Sequence, residues 1–240
     1  MRTLFFDTET TGNADGDRLC QLGIKERGIE APYLNELYRP PLPITFEAMA
    51  IHHITEKMVA DRPAFQETPE YQKIKDDFEH EEVVTVAHNA SFDVAILRRE
   101  GIRPRNVICT YKVASTIDTE SAFSHYSLQY LRYALGIEVE ANAHDAFGDV
   151  LVLEALFEHL LAKLTAQLGS EELAVKEMLD ISSKPKLFTT IRFGKHKGKR
   201  IEEIARQDRG YLEWLLKEKK KEGEGEEDWI YTLEHFLAQS

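Results

Sequence analysis

The sequence predicts an α/β domain with a small appended C-terminal module, α/β or mostly helical, on three observations. Three β-rich apolar segments, TLFFD, RLCQLGIKE and PYLNELYRP, open the chain and are separated by polar breaks. Farther on, buried-strand patterns pass directly into helical ones, the arrangement that builds a sheet covered by helices. Near the C-terminus basic charge replaces the acidic balance of everything before it.

TLFFD reads as a strand ending in a carboxylate and the next two segments as further strands, so a β-meander starts the fold. Pro40, Pro41 and Pro43 interrupt any regular element, after which FEAMAIHHI and the Thr55-capped TEKMVADR read as two short helices beside a cleft. VVTVAH is a buried strand. ASFDVAILRREG is a helix with Phe92, Ala95, Ile96 and Leu97 on one face, stopped by Gly101. NVICTYKVAS repeats the strand-to-helix pattern, YSLQYLRYALGI is a helix ending at Gly136, and HDAFGDVLVLEALFEHLLAKL is a long amphipathic helix. The first domain is expected over 1–166, and EELAVKEMLDIS in a connecting helix or linker over 167–185. In the module over 186–240, a short strand around FTTIRFG leads through a basic loop to the amphipathic YLEWLLKEKKK. KKKEGEGEED then reads as a solvated turn or mobile loop and DWIYTLEHFL as a last helix.

With 240 residues, 42% of them hydrophobic, the chain can bury one sizeable core and still supply a small appendix. The N-terminus has no basic region followed by an apolar run and cleavage site, and no apolar stretch approaches membrane-spanning length. A soluble, cytoplasmic protein without a membrane partner is therefore expected. Cys20 and Cys109 lie in apolar segments without metal-type spacing and read as buried reduced thiols. The net charge of −12 argues on average against a nucleic-acid partner, because phosphate affinity comes largely from Lys and Arg. The average hides an asymmetry. Residues 186–221 hold twelve Lys or Arg against five Asp or Glu, net +7, which leaves −19 for the rest.

Candidate chemistry lies in three motifs of the first domain. In FFDTETTG, Asp7 and Glu9 stand at i and i+2, so both side chains leave the same side of a strand, where a bound cation relieves their repulsion. VAHNASFD puts Asp93 in the first turns of a helix behind a strand. HDAFGD places His144 and Asp149 five apart on another helix, a related but offset direction, with Asp145 an alternative acid. Each residue also has a structural reading. A D-x-E pair is commonly two exposed charges, Asp93 suits a helix N-terminus and His144 a helix start.

Taken together and in this order, FDTETTG, AHNASFD and HDAFGD resemble the DEDDh exonucleases, the family of the polymerase proofreading subunit. The resemblance covers roughly residues 1–165. It implies a ribonuclease H-like mixed central sheet flanked by helices and hydrolysis of phosphodiester bonds with two Mg²⁺ ions, for which Mn²⁺ is a possible substitute. It also implies that Asp7 bridges the ions, that Glu9 and Asp149 support one and Asp93 the other, and that His144 accepts the proton of the attacking water. Carboxylates suit this task because Mg²⁺ prefers hard oxygen donors, and His144 has a near-neutral intrinsic pKa. The chain end would lie against Thr8, Thr10, Thr11 and Gly12, with Ile51 and His52 beside the last base and Asn89 and Phe92 near Asp93. An apolar helix face accounts nearly as well for Ile51 and His52.

In the module, RFGKHKGKR carries Arg192, Lys195, Lys197, Lys199 and Arg200 with no acid between them. Phosphate contact is one reading. A hairpin packed through Phe193, Ile201, Ile204, Tyr211, Leu212 and Trp214 is the other, and the two are compatible. FGKHKGKRIEEIARQDRGYLEWLL, with MAIHHITEKMVAD and AHNASFD, resembles the exodeoxyribonuclease X group and its C-terminal module. That implies a DNA substrate with a 3′ end, release of 5′-mononucleotides and a place in DNA repair or proofreading. An exoribonuclease on the same scaffold and a catalytically silent nucleic-acid-binding protein are the competing readings. The silent protein has no chemical need for all five site residues. Protein partners, oligomeric state and any preference for single or double strands are not encoded in these motifs.

Overall fold

A computed structural model describes residues 1–14, 16–118, 122–139, 146–191, 193–222 and 226–239. The chain divides into two compact units, Met1–Ser183 and Lys184–Ser240. In the first, five strands form one mixed sheet in the order β3-β2-β1-β4-β5. They are β1 (Arg2–Thr10), β2 (Leu19–Glu26), β3 (Leu34–Leu37), β4 (Val83–Ala87) and β5 (Asn106–Cys109). β1, β2 and β3 form the antiparallel meander, while β4 runs parallel to both β1 and β5. The sheet is flanked by helices, as the resemblance implies. β1 carries Asp7 and Glu9, as expected, and ends at Thr10, with the buried β-branched Thr8 and Thr10 paired to β2.

The helices of this unit are α1 (Phe46–His52), α2 (Glu56–Val59), α3 (Tyr71–Glu79), α4 (Ser91–Arg99), α5 (Thr110–Ile117), α6 (Leu128–Ala134), α7 (Ala146–Leu168) and α8 (Glu171–Ser183). Strand alternation sorts the sheet's side chains into two layers. Phe5, Val84, Val86 and Ile108 pack with residues of α5, α6, α7 and α8, whereas Leu4, Phe6, Ile24 and Val83 pack with α3 and α4. The neighbours Phe5 and Phe6 therefore meet opposite layers, edge-on to Phe157 at 5.2 Å and to Phe78 at 5.1 Å.

Two elements differ from expectation. α3 was not expected, although Tyr71, Ile74 and Phe78 follow helical spacing through its charged stretch. α8 lies where a connector was expected, but Ala174, Val175 and Met178 are buried in the first core, and the Ser182 hydroxyl accepts the Cys109 N–H at 2.9 Å. Residue 166, the expected domain end, falls inside α7. Cys20 and Cys109 are buried free thiols, and burial pushes both upward in pKa. No helix among the described residues is long and apolar enough to cross a membrane.

The second unit has its own core, built from Ile191, Ile201, Ile204, Ala205, Leu212, Leu215 and Leu233. It contains α9 (Ile201–Gln207), α10 (Arg209–Glu222) and α11 (Glu227–Ala238). Around FTTIRFG the described residues form a single antiparallel bridge, Thr190 with Arg200, in place of the expected strand. Lys219, Lys220 and Lys221 end the amphipathic YLEWLLKEKKK and also open KKKEGEGEED, read as a solvated turn or loop; they lie in α10, where Lys219 pairs with Glu226 at 3.1 Å and Lys220 with Glu234 at 2.7 Å.

Candidate metal centre and terminal-nucleotide cavity

The site starts from the alternation of β1. Asp7 and Glu9 share the face of Phe5, and the register sets Asp7 opposite Gly23 and Glu9 opposite Gln21 of β2. α7 lies against this face. A Cβ on Gly23 would sit 2.8 Å from the carbonyl carbon of Ala146 and the nitrogen of Phe147, so the helix start rests on bare β2 backbone. Gln21 Oε1 accepts the Ala146 N–H at 3.3 Å, satisfying one of the donors a helix N-terminus leaves open. Along the same face Lys25 pairs with Glu154 at 2.7 Å and Arg27 with Glu158 at 2.5 Å. Residues 21, 23, 25 and 27 thus seat α7 at every second position.

That seating brings Asp149, in the first turn of α7, to the carboxylates of β1. Ligand oxygens of Asp7, Glu9 and Asp149 all lie within 4.8 Å of one another. Gln129 of α6 donates to Asp149 Oδ1 at 2.6 Å and fixes that side chain. Beside Glu9 the β1–β2 register shifts, leaving Cys20 as an extra residue of β2. Such bulges re-aim side chains at active sites.

Asp93 approaches from the other layer. Thr8, between Asp7 and Glu9, faces α4, and Asp93 Oδ1 accepts its backbone N–H at 3.1 Å and its hydroxyl at 2.6 Å. Burial pushes the Asp93 carboxyl up to about 7, against the two Thr8 hydrogen bonds that favour its charged form. Asp93 is therefore next to the three-carboxylate cluster without belonging to it. His144 and Asp145 lie outside the described residues, as does Arg192.

A cavity of about 230 Å³ opens beside Glu9, lined among others by Thr8, Thr10, Gly12, Ile51, His52 and Phe92. α1 forms one wall and is tied to the end of β1 twice: the Thr45 N–H donates to Thr11 O at 2.9 Å, and His52 Nε2 meets Thr10 O at 3.1 Å. Because His52 Nδ1 accepts the Ile54 N–H at 2.9 Å, its proton is on Nε2, and burial lowers its pKa. His52 is thus wall and strut, its polar atoms already occupied. Ile51 is 54% exposed and presents an apolar surface to the cavity. Two expected residues are not in the lining. Thr11 is fully buried, with its hydroxyl donated to Asp17 at 2.6 Å, and Asn89 is exposed in the left-handed region (φ 62°) between β4 and α4.

Sequence reasoning missed Gln21, Gly23 and Gln129. A glycine inside a strand pattern is a readable signal of close backbone approach, whereas neither glutamine has a local signature.

Residues 4–157 match the family described as Exonuclease, well over half of the chain. The chain belongs to the exonuclease family. Residues 191–220 match the family described as Exodeoxyribonuclease X-like C-terminal, so the second unit too has counterparts. Over 214 residues this exonuclease is 33% identical to Exodeoxyribonuclease 10 of Escherichia coli (strain K12), with 88% of each chain covered. DNA polymerase III subunit epsilon of Treponema pallidum (strain Nichols) is 34% identical over 176 residues, 68% of this chain and 78% of that one. Among solved structures, Exonuclease X in complex with 5′ overhanging duplex DNA superposes with a TM-score of 0.57 at 29% identity, covering 75% of this chain and 99% of that one. E. coli Exonuclease I in complex with a dA16 oligonucleotide shares the fold, with a TM-score of 0.56 at 20% identity over 70% of this chain and 42% of that one. The family is divalent-metal dependent, and three clustered carboxylates are a fitting donor set for a hard cation.

Proposed function

We propose that the protein is a Mg²⁺-dependent 3′-to-5′ exodeoxyribonuclease that releases 5′-mononucleotides. The observation that carries this reading is the juxtaposition of the Asp7–Glu9–Asp149 cluster with the cavity of about 230 Å³ beside Glu9. Relatives named as an exodeoxyribonuclease and as a DNA complex support DNA over RNA. Work in DNA repair or proofreading is proposed on the same ground, as is the cytoplasm as its setting.

Asp7, Glu9 and Asp149 would hold one Mg²⁺, and Asp93 would join them from the α4 side in holding a second. When bound, the ions lower the pKa of the attacking water and neutralise charge on the leaving oxygen. The chain's own residues do the rest. Thr8, Thr10 and Gly12 bring backbone to the terminal nucleotide, with Ile51 and Phe92 packing against it and His52 keeping α1 in place. Gln129 keeps Asp149 from rotating away, and Asp93 holds the Thr8 amide and so the spacing of Asp7 and Glu9. His144 takes the proton of the attacking water. Lys195, Lys197, Lys199, Arg200 and Arg192 supply phosphate affinity that an acidic cleft lacks.

A time course on end-labelled single-stranded and duplex DNA, with and without Mg²⁺, tests polarity, strand preference and metal need together. Asp7→Asn and Asp149→Asn should each lower nucleotide release by at least ~10³-fold while the melting temperature is kept or raised, since a repelling charge is removed. Undiminished release in either variant would sink the mechanism. Equal digestion of RNA and DNA of one sequence would overturn the substrate class.

A further inference from the structure

The second unit carries a surface that the carboxylate site does not use. α10 buries Leu212 and Leu215 in the unit's core, while Trp214 stands 54% exposed, with exposed Lys217 one turn further on. Tyr211 joins this helix to the basic loop. Its ring lies 5.6 Å from that of Trp214, tilted by 40°, meets His196 edge-on at 4.7 Å, and has Lys195 Nζ 5.1 Å from its centroid. Gly194 allows the contact: its φ is 64°, and a Cβ there would sit 2.8 Å from the Tyr211 hydroxyl.

Asp208 then pins the loop, taking Lys195 at 2.8 Å and His196 at 2.9 Å, contacts that hold its carboxyl at about 2. Lys195 is thereby partly neutralised, and Arg200 faces Glu202 at 3.9 Å. Lys197, Lys199 and Lys217 are exposed, and among the described residues none makes an ion pair. Ammonium groups without an ion pair among the described residues thus share this loop and helix with a supported, exposed indole, in a stretch, 186–221, whose net charge is +7 in a chain of net −12.

We propose that this surface binds single-stranded nucleic acid, a base stacking on Trp214 and phosphates lying against Lys197, Lys199 and Lys217. The inference rests on the nucleic-acid reading above and moves the affinity from a row of loop charges to a composite of loop and helix. A single strand suits the surface because its unpaired bases expose π-faces, which a stacked duplex hides. Its backbone supplies the opposite charge.

Trp214 and Trp229 are the only two tryptophans in the chain, and Trp229 is packed against Phe188 and Phe193. Tryptophan emission of the full chain therefore reports on this unit alone. The test titrates full-length protein in EDTA with an oligothymidylate and with an abasic phosphodiester of equal length. Oligothymidylate should quench the emission and the abasic strand should not. Trp214→Phe should abolish the quench with affinity within a few-fold, and Trp214→Ala should weaken binding on the order of tenfold. Lys197→Glu with Lys199→Glu should flatten the dependence of log K on log salt by about 1.4, at ~0.7 per single-strand phosphate contact. Absence of quenching, quenching that survives in Trp214→Phe, or equal affinity of Trp214→Ala and wild type for oligothymidylate would each overturn the proposal. So would equally tight binding of the abasic strand. Nucleotide release by the wild-type chain with Mg²⁺ separates the two readings: normal release without quenching overturns this surface and leaves the exonuclease intact, and quenching without any release counts against the exonuclease alone.

Discussion

At Gly23 the backbone of β2 and the start of α7 are closer than a methyl group allows, and Asp149 lies within one turn of that contact. Gly23→Ala must push the helix outward or bend the strand. Overpacking of this kind costs about 1–3 kcal/mol, and displacing a reacting group by ~1 Å can cost ~10²-fold in rate. We expect a thermal midpoint lower by several degrees and kcat reduced 10- to 100-fold with KM little changed, read from melting and steady-state assays; wild-type kcat would show that α7 is not positioned here. His88 predicts a pH effect. Its Nε2 meets Tyr126 O at 2.7 Å and its Nδ1 meets the Thr110 hydroxyl at 2.9 Å, and burial lowers its pKa to about 4. A histidine whose folded pKa lies below the unfolded value contributes fully above pH 6.5 and loses that contribution as pH falls from 6.5 towards 4. The loss is on the order of 3 kcal/mol at most. Urea unfolding at pH 7 and 4.5 should show it in the wild type and show it diminished in His88→Gln.

Between elements, α7 and β2 meet through charge as well as backbone. The Lys25 side chain is 8% exposed and that of Glu154 20%, so truncating one leaves the other buried without its partner. Lys25→Met should destabilise by about 3 kcal/mol, and Lys25→Met with Glu154→Leu should regain most of it, because a buried ion pair is worth little more than a well-packed apolar pair. Chemical denaturation of the two variants checks this, and a double variant no more stable than the single one would contradict it. The same pairing shows why some elements were legible and others were not. β1, β2 and α7 announce themselves by apolar runs and periodicity, signals within a dozen residues. α3 was missed because its charged residues outnumber the three apolar ones that define its face, and around FTTIRFG the described residues form a single bridge, Thr190 with Arg200. α8 reads as a connecting helix in isolation. It becomes core only because β5, α5 and α7 leave an apolar surface for Ala174, Val175 and Met178.

For the molecule as a whole, two units with separate cores imply separable roles. A chain ending at Ser183 keeps the first core, the carboxylate cluster and the cavity. It should fold cooperatively and release nucleotides, with DNA binding that is weaker and less salt-sensitive than that of the full chain. Binding isotherms at several salt concentrations test this, and an unchanged salt slope would remove the second unit from DNA affinity. The identity and order of the four carboxylates, the strand-to-helix rhythm and the basic C-terminal stretch were all determined by sequence alone, because charge, periodicity and turn chemistry are local properties. Only the tertiary structure decided which carboxylates meet. Alternation along β1 turns Asp7 and Glu9 toward α7 but Thr8, and with it Asp93, toward α4. The contact that brings Asp149 in joins Gln21 to Ala146, 125 residues away. Register and long-range packing place those groups, and neither leaves a mark on the residues' immediate neighbours in the chain.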